Sequence, residues 1–343
     1  MNKAAQLTRC EHDTFPAEQP HCQGIFVEER GFVTYHWRIT SILNGAGGHL
    51  NSHLSKFLGL AITLFFLSAC SPRHLIVQGV GNELASQGGA AEEDLTLARE
   101  ASAFYLKLSE SLLRESPDNL RQAEAVAGGF TQYAFAFVSF DAERMEAKDV
   151  KAAQKLRDRA VRLYRRGHRH AMTALELNQP GFAKALASNN PAQWPRLEDA
   201  QIGVAYWAAA SWGGFISLSK DDPNTVADLP LAIRLARLAF EKKPGFGDGA
   251  LASLMGTFEA ARPGGTPALA LQYFDQGIAA SAGKNAGALV AKAEGIALPA
   301  GNRAAFESLL RQAIGISDAQ PNVANEVMRE RAQWLLDSAD DLF

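Results

Sequence analysis

The sequence predicts an all-α protein, built as an α-solenoid of antiparallel helical hairpins. Three observations support this fold class. From Ala90 onward, Ala, Leu, Arg, Lys and Glu dominate, and these residues have high helix propensity. Apolar residues recur every three or four positions, whereas the period-two alternation of strands is nowhere sustained. Segments rich in Pro, Gly and Asp interrupt the pattern, which divides it into consecutive helices.

These interruptions define the helices in order. The segment 116–118, Ser-Pro-Asp, separates a first helix over residues 91–115 from a second over 119–147. The first helix carries one apolar stripe, made of Leu97, Ala101, Phe104, Leu108 and Leu112. Asp149 is the expected N-cap of a third helix that runs to Leu177. A fourth helix is expected over 197–219, and later breaks fall at 221–223, 244–247, 262–265, 282–284 and 299–301.

Two of the later helices resemble each other. Ala232, Ala236 and Ala239 lie one turn apart in the first, and Ala270, Phe274 and Gly277 take the same places in the second. The separation in sequence between corresponding positions, Ala232 and Ala270, is slightly longer than the repeat of about 34 residues that defines tetratricopeptide units. Small residues at these positions allow two helices to approach closely. The pattern predicts degenerate tetratricopeptide-like hairpins; the alternative is an irregular bundle rich in Ala.

A signal for export lies upstream of the helices. Residues 57–67 form an uncharged apolar run of about eleven residues, too short to span a membrane, which Lys56 precedes and Leu67-Ser68-Ala69-Cys70 ends. This layout is typical of a bacterial lipoprotein signal peptide over 51–70, with Cys70 as the lipidated residue. The alternative is a short buried helix. We expect residues 71–89 to be a flexible tether, residues 90–343 the helical domain, and residues 1–50 an extension that is not translated.

Composition narrows the function classes. The chain of 343 residues has a formal net charge of −3 and a pI near 6.3, which argues against a nucleic-acid-binding protein. Cys10 and Cys22 precede the predicted cleavage site, so processing leaves Cys70 as the one cysteine. A lipoprotein facing the periplasm is expected, and Ser71 favours the outer membrane over the inner one.

Catalytic motifs are absent from the sequence. It contains no phosphate-binding Gly-rich loop, no His-Glu-x-x-His and no Gly-x-Ser-x-Gly. His168 and His170 are two residues apart on a predicted helix, so they point in different directions and do not bind one metal ion together. We therefore expect no enzymatic activity, no metal site and no cofactor.

The third helix carries a basic stripe of residues three or four apart, made of Lys151, Lys155, Arg159, Arg162, Arg166 and Arg169. One interpretation is a docking surface for lipid phosphates or an acidic partner. The other, which we favour, is a solvated face paired with the upstream acids Glu143, Glu146 and Asp149.

The segment 206–216 combines aromatic and small residues. Its bulky rings are Tyr206, Trp207, Trp212 and Phe215, and Trp207 and Trp212 are five residues apart, so they do not share one face. A helix that is apolar nearly all round must be enclosed by others. Rings beside Ala and Gly leave a pocket for an apolar ligand in one interpretation, and simply fill a core in the other.

Several motifs resemble the T-component lipoproteins associated with TRAP transporters. The likeness covers nearly all of the predicted mature chain, and the segments that carry it are 162–182, 205–222, 264–274 and 324–343. The most specific is Ala205-Tyr206-Trp207 to Ser211-Trp212, followed by residues 216–222. At Gly249-Ala250 the sequence departs from the family, whose members usually carry His after the Gly.

The resemblance implies an all-α fold of cryptic tetratricopeptide-like hairpins, a homotrimer, and a channel or pocket through each protomer. It further implies a periplasmic TRAP substrate-binding protein as partner and an apolar or amphipathic organic acid as cargo. On this basis Tyr206, Trp207, Trp212 and Phe215 are the expected pocket wall, and Lys220 is a candidate counter-ion for a carboxylate. The alternative function is a tetratricopeptide-like lipoprotein scaffold for envelope-assembly proteins.

Overall fold

The structure, a computed structural model, describes residues 94–343. Within this range the chain is all-helical and contains no strand, as the sequence predicts. The predictions for Cys70, the signal peptide, the tether and the N-terminal extension lie outside the described residues.

Fourteen α-helices follow one another in the described range. Their bounds are α1 Leu95–Glu115, α2 Leu120–Ala134, α3 Phe140–Glu146, α4 Val150–Asn178, α5 Phe182–Leu186, α6 Ile202–Ser217, α7 Pro223–Ala227, α8 Leu229–Lys242, α9 Ala250–Ala261, α10 Pro267–Ser281, α11 Gly287–Lys292, α12 Arg303–Ala319, α13 Val323–Asp337 and α14 Ala339–Leu342. Two π-helical segments, Phe135–Ser139 and Ala293–Ala297, continue α2 and α11, and two short 3₁₀ turns, Pro191–Gln193 and Asp199–Gln201, precede α6.

Local sequence signals set the helix ends. Asp94, Asn119 and Asp149 are the N-caps of α1, α2 and α4, and each side chain accepts a hydrogen bond from a backbone N–H in the first turn. The predicted cap at Asp149 is thus confirmed, with 2.9 Å between its carboxylate and the Ala152 nitrogen. The later breaks also coincide with loops, because Pro, Gly and Asp occur where helices stop.

Helices close in sequence pack against each other along the chain. Each of the pairs α1–α2, α2–α4, α4–α6, α6–α8, α8–α9, α9–α10 and α12–α13 is in contact, and α13 also contacts α1. The six positions of the internal resemblance are all buried. At Gly277 a Cβ would lie 2.5 Å from the Ser253 hydroxyl, so a residue without a side chain is what lets α10 approach α9.

The apolar stripe of α1 is not buried. Its buried face is formed by Ala98, Leu106, Glu110 and Leu113, whereas Leu97, Phe104 and Leu108 are 52%, 68% and 36% exposed. Periodicity identifies α1 as amphipathic, but α1 is an edge helix, and α2 covers its other side. An ion-paired glutamate therefore occupies a position that the pattern assigns to solvent.

The largest hydrophobic core is contributed by α1, α2, α4, α5, α6, α8 and α9, with Phe130, Leu175 and Phe182 among its buried side chains. A second core lies among α11, α12 and α13 and contains Phe306 and Leu310. Over residues 94–343, no helix combines the length and the apolar character that crossing a bilayer requires.

Candidate functional site

Helix α6 lies at the centre of the larger core, in contact with α2, α4, α8 and α9. Most of its side chains are buried. The exceptions follow one helical face, which ends at exposed Ser217. Its partly exposed residues, here called the open stripe, are Tyr206, Trp207, Ala210, Gly213 and Gly214.

Two of the predicted pocket residues form the N-terminal end of the open stripe. The rings of Tyr206 and Trp207 are 4.6 Å apart between centroids, and Tyr206 also contacts Phe246 at 5.4 Å. The indole of Trp207 lies on Gly128 of α2, where a Cβ would be 2.7 Å from the ring. Burial raises the pKa of the Tyr206 hydroxyl to about 12, so this end of the stripe presents neutral, largely apolar groups.

Aromatic rings also fill the space beside the glycines of the stripe. A Cβ at Gly213 would lie 2.7 Å from the ring of Phe258, and one at Gly214 would lie 2.7 Å from the ring of Tyr164. Burial raises the pKa of the Tyr164 hydroxyl above its usual range. The glycines thus admit rings from α9 and α4, and four aromatic residues from three helices meet along the open stripe.

The other two predicted pocket residues face α4. Trp212 and Phe215 are buried, and their ring centroids lie 4.4 Å and 5.6 Å from that of His168. The His168 Nδ1 lies 3.1 Å from the carbonyl oxygen of Ala208. Burial lowers the pKa of His168, against the opposing effect of this hydrogen bond, so the neutral imidazole is favoured. Trp207 and Trp212 therefore lie on two sides of α6, as their spacing predicts.

Lys220 is not close to the aromatic end of the stripe. It is exposed and follows the last turn of α6. The helix separates Tyr206 from Ser217 by about 16 Å along its axis. Within the described residues, Lys220 shares no hydrogen bond or ion pair with the predicted pocket wall.

Two cavities in the described part of the chain lie away from the open stripe. One, of about 260 Å³, lies where α1, the first π-helical segment and α13 meet, and it is lined by Leu95, Thr96, Arg99, Ala136, Phe137, Phe140, Arg144, Val327 and Glu330. The other is an open groove of about 510 Å³ on α4 and α5, lined by Met172, Thr173, Glu176, Leu177, Ala183 and Lys184. Neither is lined by the residues predicted as pocket wall.

Periodicity does not identify two clusters of buried charge that join helices distant in sequence. In the first, Glu110 of α1 accepts hydrogen bonds from Arg166 at 2.5 Å and Lys107 at 2.6 Å, and lies 2.9 Å from the Nε2 of His170. Burial by itself would raise the pKa of Glu110, but the hydrogen bonds from Arg166, Lys107 and His170 outweigh it and lower the pKa to about 2.

In the second cluster, Arg331 of α13 donates to both carboxylate oxygens of Glu294 at 2.7 and 3.0 Å, and its ion pair with Glu143 measures 2.9 Å. Its guanidinium also lies over the rings of Phe140 and Trp334. Burial would lower the pKa of Arg331, but the two carboxylates raise it, so the side chain stays charged. Through these two glutamates, Arg331 joins α13 to α3 and to the second π-helical segment.

Among residues 94–343, no group of three or more His, Cys, Asp or Glu side chains is placed to bind a metal ion. His168 and His170 have different neighbours, Ala208 and Glu110, in line with their two-residue spacing.

The basic stripe also has few acidic partners. Arg166 pairs with Glu110, whereas Glu143 pairs with Arg331, Glu146 with Arg157, and Asp149 caps α4. The remaining members, Lys151, Lys155, Arg159, Arg162 and Arg169, are exposed. The stripe is a solvated face, but the upstream acids do not neutralise it.

The family model described as TRAP transporter T-component matches residues 91–343. The chain belongs to this family. The matched region comprises every described helix, so α6 and both charge clusters lie within it. An uncharacterized protein of Treponema pallidum (strain Nichols) is 26% identical over 263 residues, which cover 74% of this chain and 81% of that protein.

Membership identifies the chain as an accessory component of a TRAP transporter and associates it with the cell envelope and with a TRAP system. The resemblance predicted from the sequence is thus confirmed. The T-component family is a transporter accessory family, and the predicted pocket wall on α6 is part of the matched region.

Proposed function

We propose that this T-component is a non-catalytic, lipid-anchored periplasmic protein that binds or relays an apolar or amphipathic organic ligand together with a periplasmic TRAP substrate-binding protein. The anchor is the acylated Cys70, in the outer membrane, and the helices form a tetratricopeptide-like solenoid that assembles as a homotrimer. Family membership supports the transport role. The sequence around Cys70 supports the anchor.

The observation that carries the ligand-binding role is the open stripe of α6. A helix enclosed on its other sides presents Tyr206 and Trp207 next to small residues, and these positions remain partly exposed inside an otherwise buried environment. Apolar walls with few polar groups are typical of sites for organic ligands. Trp212 and Phe215, which pack on His168, support the stripe from behind.

The position of Lys220 restricts the ligand's shape. Lys220 follows the last turn of α6, and about 15 Å of helix axis separates Trp207 from Ser217 at the end of that helix. A ligand that uses both ends of the stripe must therefore be extended, as a long-chain carboxylate is.

The test compares ligand retention by matched variants. Trp207→Ala and Tyr206→Ala should weaken binding of a fluorescent long-chain fatty acid and of the TRAP substrate-binding protein, while Trp194→Ala, outside α6, should not. Circular dichroism and thermal unfolding verify that each variant is folded. Unchanged binding of both probes by folded Trp207→Ala and Trp212→Ala proteins would exclude the pocket. Lys220→Gln should weaken binding of the fatty acid but not binding of the corresponding fatty alcohol.

A scaffold for envelope-assembly proteins is the second candidate. The open groove beside Met172 and Leu177 supports it, since Leu177 is half exposed and the groove is mainly apolar. Peptide capture that is lost in Leu177→Glu but retained in Trp207→Ala would favour the scaffold. The opposite result would favour ligand relay.

A further inference from the structure

A carboxylate lies at the interface of α2 and α6, beside the aromatic end of the open stripe. The carboxylate of Glu124 rests against Gly203 of α6, so closely that it leaves no room for a Cβ there. One helical turn further along both helices, the indole of Trp207 rests on Gly128. The two contacts are successive steps of one interface, which places Glu124 next to Trp207.

The segment after α8 brings a third ring and a positive charge to the same place. The ring of Phe246 contacts Tyr206, and the ammonium of Lys243 lies 5.9 Å from the centroid of Phe246. The charge of Lys243 also acts on the Glu124 carboxylate. Three aromatic rings and one carboxylate therefore meet at the N-terminal end of the open stripe.

The charge of Glu124 has no close partner. Among residues 94–343, no group donates a hydrogen bond to it or forms an ion pair with it. Burial raises its pKa, against the attraction of Arg121 and Lys243. In Glu110, by contrast, hydrogen bonds outweigh burial and lower the pKa. A partly buried carboxylate without a compensating group is a place where a ligand can supply the missing charge.

An organic ammonium ion fits both parts of this arrangement. Its positive charge compensates the carboxylate, and its alkyl groups pack on the ring faces, whose negative quadrupole attracts cations. Lys243 already lies over Phe246 in this way. A carboxylate ligand would be repelled by Glu124, and an uncharged apolar group would leave that charge uncompensated.

We propose that Glu124, together with Tyr206, Trp207 and Phe246, binds the positively charged nitrogen of an organic ammonium ion. This inference rests on the ligand-binding role of the open stripe, and it adds the charge of the ligand group that is bound at the N-terminal end. The carboxylate of an amphipathic ligand would then point the other way, towards Lys220.

Equilibrium dialysis of the full chain with radiolabelled choline tests the assignment. The competitors are the dimethylbutanol in which carbon replaces the quaternary nitrogen, and the corresponding dimethylbutanoate, so that probes of one shape differ in charge. Glu124→Gln removes the carboxylate, and Lys243→Gln removes a positive charge from an exposed position. Glu100→Gln, on the exposed side of α1, is the control. Circular dichroism verifies that each variant is folded.

We expect the protein to retain choline, and neither competitor to displace it at equal concentration. Glu124→Gln should weaken retention roughly tenfold, because the charge-assisted contact is lost. Lys243→Gln should strengthen it about threefold, because a like charge near the ligand is removed. Glu100→Gln should leave it unchanged. The opposite signs at Glu124 and Lys243 separate a cation site from a general loss of packing.

Retention unaffected by Glu124→Gln, or displacement of choline by dimethylbutanoate, would overturn the proposal. If Glu124→Gln does not fold, weaker or unchanged retention in Lys243→Gln would overturn it as well. A protein that binds the long-chain fatty acid through Trp207 but not choline would refute the ammonium site alone. Failure to bind either probe would refute the ligand-binding role of the open stripe.

Discussion

Glu110 and Arg166 form a two-point ion pair between α1 and α4, with 2.5 Å between the atoms of each contact. The Glu110 side chain is 4% exposed, so this charge is held away from water. Phe130 lies against the guanidinium on one side, 5.0 Å from ring centroid to carbon. The pair replaces the apolar contact that an amphipathic helix would ordinarily make at this position.

Glu110→Gln should lower the free energy of unfolding by about 2 to 3 kcal/mol at neutral pH, because it removes the negative charge that compensates Arg166, a partly exposed cation. Urea unfolding measures the change. Glu100→Gln, an exposed change on the same helix, is the control and should be within about 0.5 kcal/mol of the wild type. Equal stability of both variants would show that the buried pair adds nothing.

The Glu110 carboxylate also predicts that the fold loses stability in acid. Its folded-state pKa of about 2 lies below its ordinary value of 4.5, so it stabilises the fold above pH 4.5. This contribution, about 3 kcal/mol, is lost as the pH falls from 4.5 towards 2. Glu110→Gln should therefore show a weaker decline of stability over that range than the wild type. Parallel pH profiles would contradict the assignment.

The partly buried His168 predicts a second pH dependence of stability, at higher pH than that of Glu110. Because burial lowers its folded-state pKa below 6.5, the unfolded chain binds the proton more readily, and stability falls as the pH drops through 6.5. In His168→Asn, which retains a donor for the Ala208 carbonyl, stability should change less between pH 7.5 and 5. Chemical unfolding at both pH values measures this, and an unaltered difference would exclude His168 as its source.

Gly214→Ala should destabilise the protein by about 1 to 2 kcal/mol, although Ala is the better helix former, because its Cβ would lie 2.7 Å from the buried ring of Tyr164. Gly315→Ala is the matched control. It has no neighbour within 4 Å and should stabilise α12 by about 0.5 to 1 kcal/mol. Thermal unfolding should shift in opposite directions for the two variants; a shared direction would refute the packing argument.

Arg331→Lys should lower the free energy of unfolding by about 2 kcal/mol, which is nearly as much as Arg331→Met lowers it. A lysine does not reproduce the two parallel hydrogen bonds to Glu294 or the planar contacts with Phe140 and Trp334. Denaturant unfolding of both variants measures this. Full stability of the lysine variant would mean that charge alone is sufficient at this site.

The sequence predicts well what neighbouring residues determine. Asp149 caps α4, and the breaks between helices occur where Pro, Gly and Asp cluster, because these effects act within a few residues. The separation of Trp207 from Trp212 follows from helical geometry alone. The family is also recognisable, since its motifs are segments of consecutive residues.

Contacts between distant segments could not be predicted. The two partners of the Glu110–Arg166 pair are 56 residues apart in sequence, and no local pattern shows that Glu110 lies on the buried side of α1. The same holds for His168, whose neighbours Trp212 and Phe215 come from another helix. The π-helical segments lack a sequence signature; the first packs against α4 and the second against α12, both distant in the local pattern.

The contact between α13 and α1 has a mechanical consequence. A force applied at the N-terminal end of α1 acts first on Ala98, which packs in one cluster with Phe137 of the first π-helical segment and Val327 of α13. The load is thus shared between the first helix and the penultimate one, and the domain resists being peeled open turn by turn from its N-terminal side.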